Sequence, residues 1–412
     1  MFGTITTSQE AISLEDKFGA HNYHPLPVVL NKGEGVFLWD VEGKRYYDFL
    51  SAYSAVNQGH CHPRIIQALI EQAKELTLTS RAFYNDKLGP AEKYVCELFG
   101  YKKALFMNSG AEANETAIKL ARKWGYTKKC IPDNQAVIVA VRQNFHGRTT
   151  TIISASTEDS ARSGFGPFMP GFEIIDYDNI QALEKALVNP HVCALWIEPI
   201  QGEAGVYVPA DGYLKAAEEI CRQNNVLLMM DEIQTGIART GKRLASDYEN
   251  VRPDILILGK ALSGGVLPIS LVLADDAIML VIKPGEHGST FGGNPLAAVV
   301  CMEALQVVQD ENMAENAYRL GILFRDRMKA LMKKTTLVTQ VRGKGLLNAI
   351  VINDREESET AWNMCAEFAK HGLLAKPTHG NIIRLAPPLV ITEDQLHECC
   401  DVIENCILAF SK

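Results

Sequence analysis

The sequence predicts an α/β protein: a mostly parallel sheet flanked by helices, followed by a smaller α+β region at the C-terminus. Three observations carry that prediction. Short apolar runs recur between residues 104 and 273, with the length and composition of strands buried on both faces. Helical patterns lie between most of them, which implies crossover connections. After about residue 296 the pattern changes to a long helix, short strands and a final helix. At 412 residues the chain also exceeds what one hydrophobic core usually serves. We divide it into an N-terminal segment (1–53) whose hairpin packs on the small domain, a large domain (54–300) and a small domain (301–412).

Along the chain, residues 35–50 alternate aromatic and polar side chains and contain a Val41-Glu-Gly-Lys44 turn, which reads as a β-hairpin. The sheet runs are Ala104-Leu-Phe-Met107, Val137-Ile-Val-Ala-Val141, Ala194-Leu-Trp-Ile197, Val226-Leu-Leu-Met-Met230, Ile255-Leu-Ile-Leu258 and Ile269-Ser-Leu-Val-Leu273. Ala117, Leu120, Ala121 and Trp124 give the helix after the first run an apolar face. One helix is expected from Ala297 to about Lys334, short strands around Ala349-Ile-Val-Ile352 and Ile382-Ile-Arg-Leu385, and a terminal helix from Glu393.

Composition narrows the function. With 47% apolar and 22% charged residues the chain is an ordinary globular one, and no run approaches the ~18 apolar residues that span a bilayer. A formal charge of −8 argues against nucleic acid or an anionic membrane as partner. The ten cysteines are scattered without CxxC spacing, so a reducing compartment is expected, the cytosol by default. The first arginine is Arg45, and Glu10, Glu15 and Asp16 precede it, unlike an Arg-rich, acid-poor transit peptide. A mitochondrial matrix protein whose leader has been removed remains open.

In an open α/β sheet, ligands bind beyond the carboxyl ends of the strands. Here those ends carry the chain's chemistry. Asp231 and Lys260 terminate two runs, 29 residues apart, about one strand-helix-strand unit. A carboxylate and an amine so placed suit pyridoxal phosphate, which needs a Schiff-base lysine and an acidic partner for its ring nitrogen. The alternative is a salt bridge or two solvated strand ends. Run 104–107 leads into Asn108-Ser109-Gly110-Ala111, where Ser109 and Glu112 have capping-box spacing and the helix N-terminus also suits an anion. Run 137–141 leads to Phe145-His146-Gly147-Arg148: an aromatic able to stack on a planar ring, and an arginine able to grip a carboxylate. Run 194–197 ends in Glu198 and, five residues on, Glu203. Competing motifs fail. Gly236–Arg243 nearly matches a P-loop, but Arg243 stands where Ser or Thr should be; His60 and His62 lack a further metal-ligand cluster and read as structural.

The stretches Leu228-Met-Met-Asp-Glu-Ile-Gln-Thr-Gly-Ile-Ala-Arg-Thr-Gly241 and Leu258-Gly-Lys-Ala-Leu-Ser-Gly-Gly265 resemble the signature of class III pyridoxal-phosphate aminotransferases. Further stretches, including Gly19–Pro25, Ser54–His60, Leu78–Phe83, Gly285–Thr290 and Leu373–Gly380, resemble the ornithine-transaminating branch of that family. The resemblance implies a fold-type I transferase with a seven-stranded sheet. It also implies that Lys260 is the Schiff-base lysine and later the general base, that Asp231 keeps the ring nitrogen protonated, that Phe145 stacks on the ring and that Gln234 hydrogen-bonds its phenolic oxygen. Ser109, Gly110 and Ala111 would hold the phosphate, His146 would stand beside the cofactor, and Ser289 and Thr290 would reach across from a second subunit. A homodimer or larger homo-oligomer with shared active sites follows.

The implied substrates are L-ornithine, 2-oxoglutarate and glutamate. By resemblance, Arg384 binds the α-carboxylate of glutamate and Arg148 its distal one. With ornithine bound, Glu203 pairs with Arg384, Tyr23 and Arg148 engage ornithine's α-carboxylate end, and Tyr53 restricts the pocket; Glu198 shares the mouth with Glu203. The alternatives are an acetylornithine or 4-aminobutyrate aminotransferase, an aminomutase of the same fold, or a regulatory protein that only binds the cofactor.

Overall fold

The computed structural model describes residues 5–410. Strands β1 (Leu30–Glu34), β2 (Phe37–Asp40) and β3 (Arg45–Asp48) form an antiparallel sheet near the N-terminus. The β2–β3 hairpin is the one expected, and Gly43 turns it with a φ of +88°, a conformation that a glycine adopts freely.

The central sheet holds seven strands: β4 (Lys103–Met107), β5 (Val137–Val141), β6 (Phe172–Ile175), β7 (Val192–Ile197), β8 (Leu227–Asp231), β9 (Ile255–Leu258) and β10 (Ser270–Ala274). Their order is β4-β10-β9-β8-β7-β5-β6. All pairings are parallel except those of β10, which runs antiparallel to both β4 and β9. The carboxyl ends of β4, β5, β7, β8 and β9 therefore face one edge. Strands β7 to β10 are buried at every position, which is why they read as unbroken apolar runs. Each aliphatic in Ile255–Leu258 contributes roughly 1.5–3 kcal/mol on burial. Strand β6 was not among the runs read from the sequence. It is an edge strand, half-buried throughout, and carries Glu173 in mid-run.

At the C-terminus, β11 (Val338–Lys344), β12 (Leu347–Ile352), β14 (Lys376–Thr378) and β15 (Ile382–Leu385) form an antiparallel sheet ordered β11-β12-β15-β14. The two-residue strand β13 (Leu373–Leu374) instead pairs in parallel with β3, tying this region to the N-terminal sheet. The single helix expected from Ala297 to about Lys334 is two, Pro295–Asp310 and Met313–Met332. The break falls at Asn312, whose φ of +51° cannot continue a right-handed helix. The polar strand β11 escaped the sequence reading because Thr339, Gln340 and Arg342 interrupt any apolar run. The terminal helix spans Glu393–Phe410.

All ten cysteines are free. Among the described residues no helix is long and apolar enough to cross a membrane, and no cluster of side chains could hold a metal ion. His60 pairs with Asp48 at 2.7 Å and His62 with Glu311 at 2.9 Å.

Candidate active site

The sheet edge opens into a cavity of about 180 Å³ lined by Gly110, Ala111, Phe145, His146, Gly147, Glu198, Glu203, Asp231, Ile233, Gln234, Thr235 and Lys260. Nine residues expected at a site from the sequence thus meet in one place. The helix Gly110–Thr127 brings its first turn there. Its capping box is formed: the Ser109 hydroxyl accepts from the Glu112 N–H at 3.2 Å and the Glu112 carboxylate accepts from the Ser109 N–H at 2.6 Å. Ser109 is thereby committed to its own helix and borders the neighbouring cleft rather than this cavity. The first-turn amides of Gly110 and Ala111 have no partner within the helix and suit an anion. A Cβ on Gly110 would stand 2.9 Å from the Ile233 side chain, so only glycine lets these two elements close together.

Asp231 is 4% exposed and held by three donors. The Asn114 amide donates to Oδ2 at 2.9 Å, His146 Nδ1 lies 2.8 Å from the same oxygen, and the Ile233 N–H donates to Oδ1 at 3.0 Å. The His146 ring stacks on Trp196 with centroids 3.9 Å apart, and Trp196 Nε1–H donates to Asn114 Oδ1 at 3.0 Å. Asn114 and Trp196 escaped the sequence reading. The available signal was an asparagine on the helix's otherwise Ala-, Ile- and Leu-rich face.

Lys260 follows β9 after one glycine and starts a short 3₁₀ turn with a φ of +46°, an uncommon conformation for a lysine and one that clusters at functional sites. Burial of the ammonium lowers its pKa to about 8, against the opposing attraction of Glu203 and Asp231. Glu198 moves the other way: burial, then the Asp231 charge, push its carboxyl well above the usual range, although it accepts the Phe145 N–H at 2.9 Å. Gln234 approaches so closely that a Cβ on Gly202 would lie 1.5 Å from its Oε1, and that oxygen is buried with no hydrogen-bond partner.

At the other end of the cavity Glu203 meets Arg384 from β15, with Nη1 donating to Oε2 at 2.7 Å and Nη2 to Oε1 at 3.4 Å. Burial acts to raise the Glu203 pKa, but the Arg384 charge and hydrogen bond outweigh it and hold the carboxyl below the usual range. The Arg384 guanidinium lies over the Tyr53 ring, 4.7 Å from its centroid. Burial raises the Tyr53 pKa, and the charges that act on its hydroxyl include Arg384, Glu203, Tyr23 and Arg148. Arg148 lines an adjoining cavity shared with Phe145, His146 and Glu203, its guanidinium 5.9 Å from the Phe145 ring centroid. Tyr23 is 75% exposed and lines neither cavity. Ser289 accepts from Asn108 Nδ2 at 2.9 Å, Thr290 is exposed, and neither lines the main cavity of this chain.

The sequence profile described as "Aminotransferase class-III" matches residues 18–407. The chain is a class III aminotransferase. Members of this family depend on pyridoxal phosphate. The mitochondrial ornithine aminotransferase of Drosophila ananassae is 62% identical over 98% of this chain and 92% of its own length. A solved structure of the ornithine aminotransferase from Toxoplasma gondii, described with partial occupancy of pyridoxal phosphate at its active site, has a TM-score of 0.97 and 49% identity, covering 98% of this chain and 95% of that one. The acetylornithine aminotransferase of Elizabethkingia anophelis superposes with a TM-score of 0.91 and 59% identity, covering 99% of this chain and all of that one.

The residues present fit the cofactor. The cavity offers a buried carboxylate with three donors behind it, a desolvated lysine, an unpartnered Gln234 Oε1, and a helix N-terminus kept close by a glycine.

Proposed function

We propose that this aminotransferase moves the δ-amino group of L-ornithine to 2-oxoglutarate. The products are glutamate-5-semialdehyde, which cyclises to pyrroline-5-carboxylate, and glutamate. The observation that carries this reading is the Glu203–Arg384 pair against the Tyr53 ring, at one end of the cavity that Lys260 also lines. The relatives named as ornithine aminotransferases support it.

The chemistry that pyridoxal phosphate supplies when bound is an aldehyde carbon for amines and a ring that accepts electrons from the amine-bearing carbon. Lys260 Nζ, its basicity lowered by burial, is the nucleophile that gives way to the substrate amine and then carries the proton off and onto that carbon. Asp231 would present its carboxylate to the ring nitrogen and keep it protonated. Phe145 would stack on the ring, with His146 beside it, and Gln234 would hydrogen-bond the phenolic oxygen. Gly110 and Ala111 would hold the phosphate with backbone N–H groups, Ser109 adjoining, and Ser289 and Thr290 would complete that end from a second subunit. The active unit is then a homodimer.

Selection between the two amines follows from charge. Ornithine presenting its δ-amine has no carboxylate near the reacting carbon, so Arg384 stays paired with Glu203. An unpaired buried guanidinium would be costly and would draw the α-carboxylate, and with it the wrong amine, to the reacting position. Glutamate brings an α-carboxylate that displaces Glu203 from Arg384, while Arg148 takes its distal carboxylate. Tyr23 with Arg148 receives ornithine's α-carboxylate end, and Glu198, its carboxyl pKa pushed up by burial, shares the mouth with Glu203. The ten free cysteines suit a reducing compartment, and the Drosophila relative is named mitochondrial; we place the protein in the cytosol or mitochondrial matrix.

A donor screen tests the reading. With pyridoxal phosphate and 2-oxoglutarate, ornithine is expected to give pyrroline-5-carboxylate, detected with o-aminobenzaldehyde. Activity on N-acetylornithine without activity on ornithine would overturn it. Turnover without an oxoacid would point to an aminomutase.

A further inference from the structure

We propose that Asp48 is a positioning residue for amine selection, acting through a left-handed turn that aims Tyr53 at Arg384; this rests on the functional reading above. Ser51, Ala52, Tyr53 and Ser54 have φ values of +49°, +44°, +59° and +75°. Four successive L-residues in that region are unusual, because each Cβ crowds the following carbonyl oxygen, and no glycine relieves the crowding here. The turn is closed on itself: the Tyr53 N–H donates to the Leu50 oxygen at 2.9 Å, and the Ala55 and Val56 N–H groups donate to the Ser51 oxygen at 2.9 and 3.2 Å.

A strained backbone persists only where its surroundings over-determine it. Asp48 supplies that determination. It is 4% exposed, its Oδ1 accepts the Leu50 and Ser51 N–H groups at 2.8 and 2.9 Å, and its Oδ2 meets His60 Nε2 at 2.7 Å. The turn is also stitched to the strand that carries the substrate arginine. The Ser51 hydroxyl donates to the Ala386 oxygen at 2.7 Å, and the Ala386 N–H donates to the Phe49 oxygen at 2.8 Å, two residues past Arg384. Tyr53 and Arg384 therefore share one rigid frame, within which the guanidinium lies over the phenol ring. Without the carboxylate that pins Leu50 and Ser51, the turn relaxes toward a right-handed or extended path. The Tyr53 ring then leaves the guanidinium. Ala52, which is exposed, is where the strain can be relieved without opening a cavity.

The test uses the cofactor-loaded enzyme and the ratio of δ-amine to α-amine product from ornithine. Asp48→Ala removes the oxygen that accepts both the Leu50 and Ser51 N–H groups. It is expected to lower the ratio by about fivefold and to raise the KM for ornithine, while the single-turnover rate with glutamate stays within about twofold. Adding Ala52→Gly is expected to restore the ratio, because a glycine adopts the turn without Asp48 holding it. A residue that was only structural would not be rescued in this way. An unchanged ratio in Asp48→Ala, or a lowered ratio that Ala52→Gly does not restore, overturns the proposal. Two variants at the exposed Ala52 guard against misfolding of Asp48→Ala. Ala52→Val, with a branched Cβ in the left-handed region, should lower the ratio, and Ala52→Gly alone should raise the melting temperature by roughly 1–2 °C. Absence of either effect also overturns it. An inactive wild type with ornithine would sink the functional reading instead, and the melting shift would still test the turn.

Discussion

Asp231 and Glu203 are carboxylates lining one cavity, and they are held in opposite ways. Asp231 is caged by the Asn114 amide, the His146 ring and the Ile233 N–H, with Trp196 bracing two of the three. Glu203 has one strong partner, Arg384, and that partner comes from a distant strand. In the proposed reaction the first arrangement would fix a charge in place for every turnover, and the second would be exchanged when a competing carboxylate arrives. The difference would separate the two tasks of a transaminase: cofactor chemistry, identical in both half-reactions, and substrate choice, which must reverse between them.

The variants that would break this contrast fall in a clear order. Lys260→Ala removes both nucleophile and proton carrier and should cost at least about 10³-fold in kcat, read in a coupled glutamate assay. A residual rate within tenfold of wild type would take the lysine out of the reaction. Asp231→Ala should lower kcat for ornithine and for glutamate alike by about 10²-fold or more, because the cage serves both half-reactions. A loss confined to one substrate would contradict the division. Tyr53→Ile should act on choice alone: activity on 4-aminobutyrate or on ornithine's α-amine rises several-fold, with the glutamate half-reaction little changed, in a side-by-side donor assay. His146→Ala leaves two donors on Asp231 and should weaken cofactor retention by roughly fivefold in equilibrium dialysis, without altering the choice of amine.

The pH dependence sharpens the cofactor half. In the proposed reaction Lys260 would attack as the free amine, and burial lowers its pKa to about 8. The rate at which the apoprotein captures pyridoxal phosphate should therefore rise with pH through a midpoint near 8, followed by stopped-flow absorbance. A midpoint near 10, where an ordinary lysine titrates, would mean the amine is solvated before the cofactor arrives.

The sequence made the cofactor half easy to read for the same reason that half is rigid. Asp231 and Lys260 end strands buried on both faces, so the runs before them are unbroken and their charged ends stand out. The parts that stayed hidden are those whose signal is not periodic. Strands β6 and β11 are half-exposed and carry polar residues, and Asn114 and Trp196 lie inside apolar patterns that describe the core equally well. Glu203, Tyr53 and Arg384 lie on a loop after β7, a turn after β3 and a strand near the C-terminus, so no spacing rule joins them. Their meeting was implied by family resemblance, and the fold brings the three within contact. The strain at Ser51–Ser54 had no sequence signal, because glycine, the usual marker of a left-handed turn, is absent.

The central claim is that Glu203 silences Arg384 whenever ornithine binds. Product analysis of Glu203→Ala with ornithine tests it most directly, by separating pyrroline-5-carboxylate from the product of α-amine transfer. The account predicts that the α-product rises at least about tenfold relative to the δ-product, while turnover with glutamate is maintained. An unchanged product ratio would contradict it.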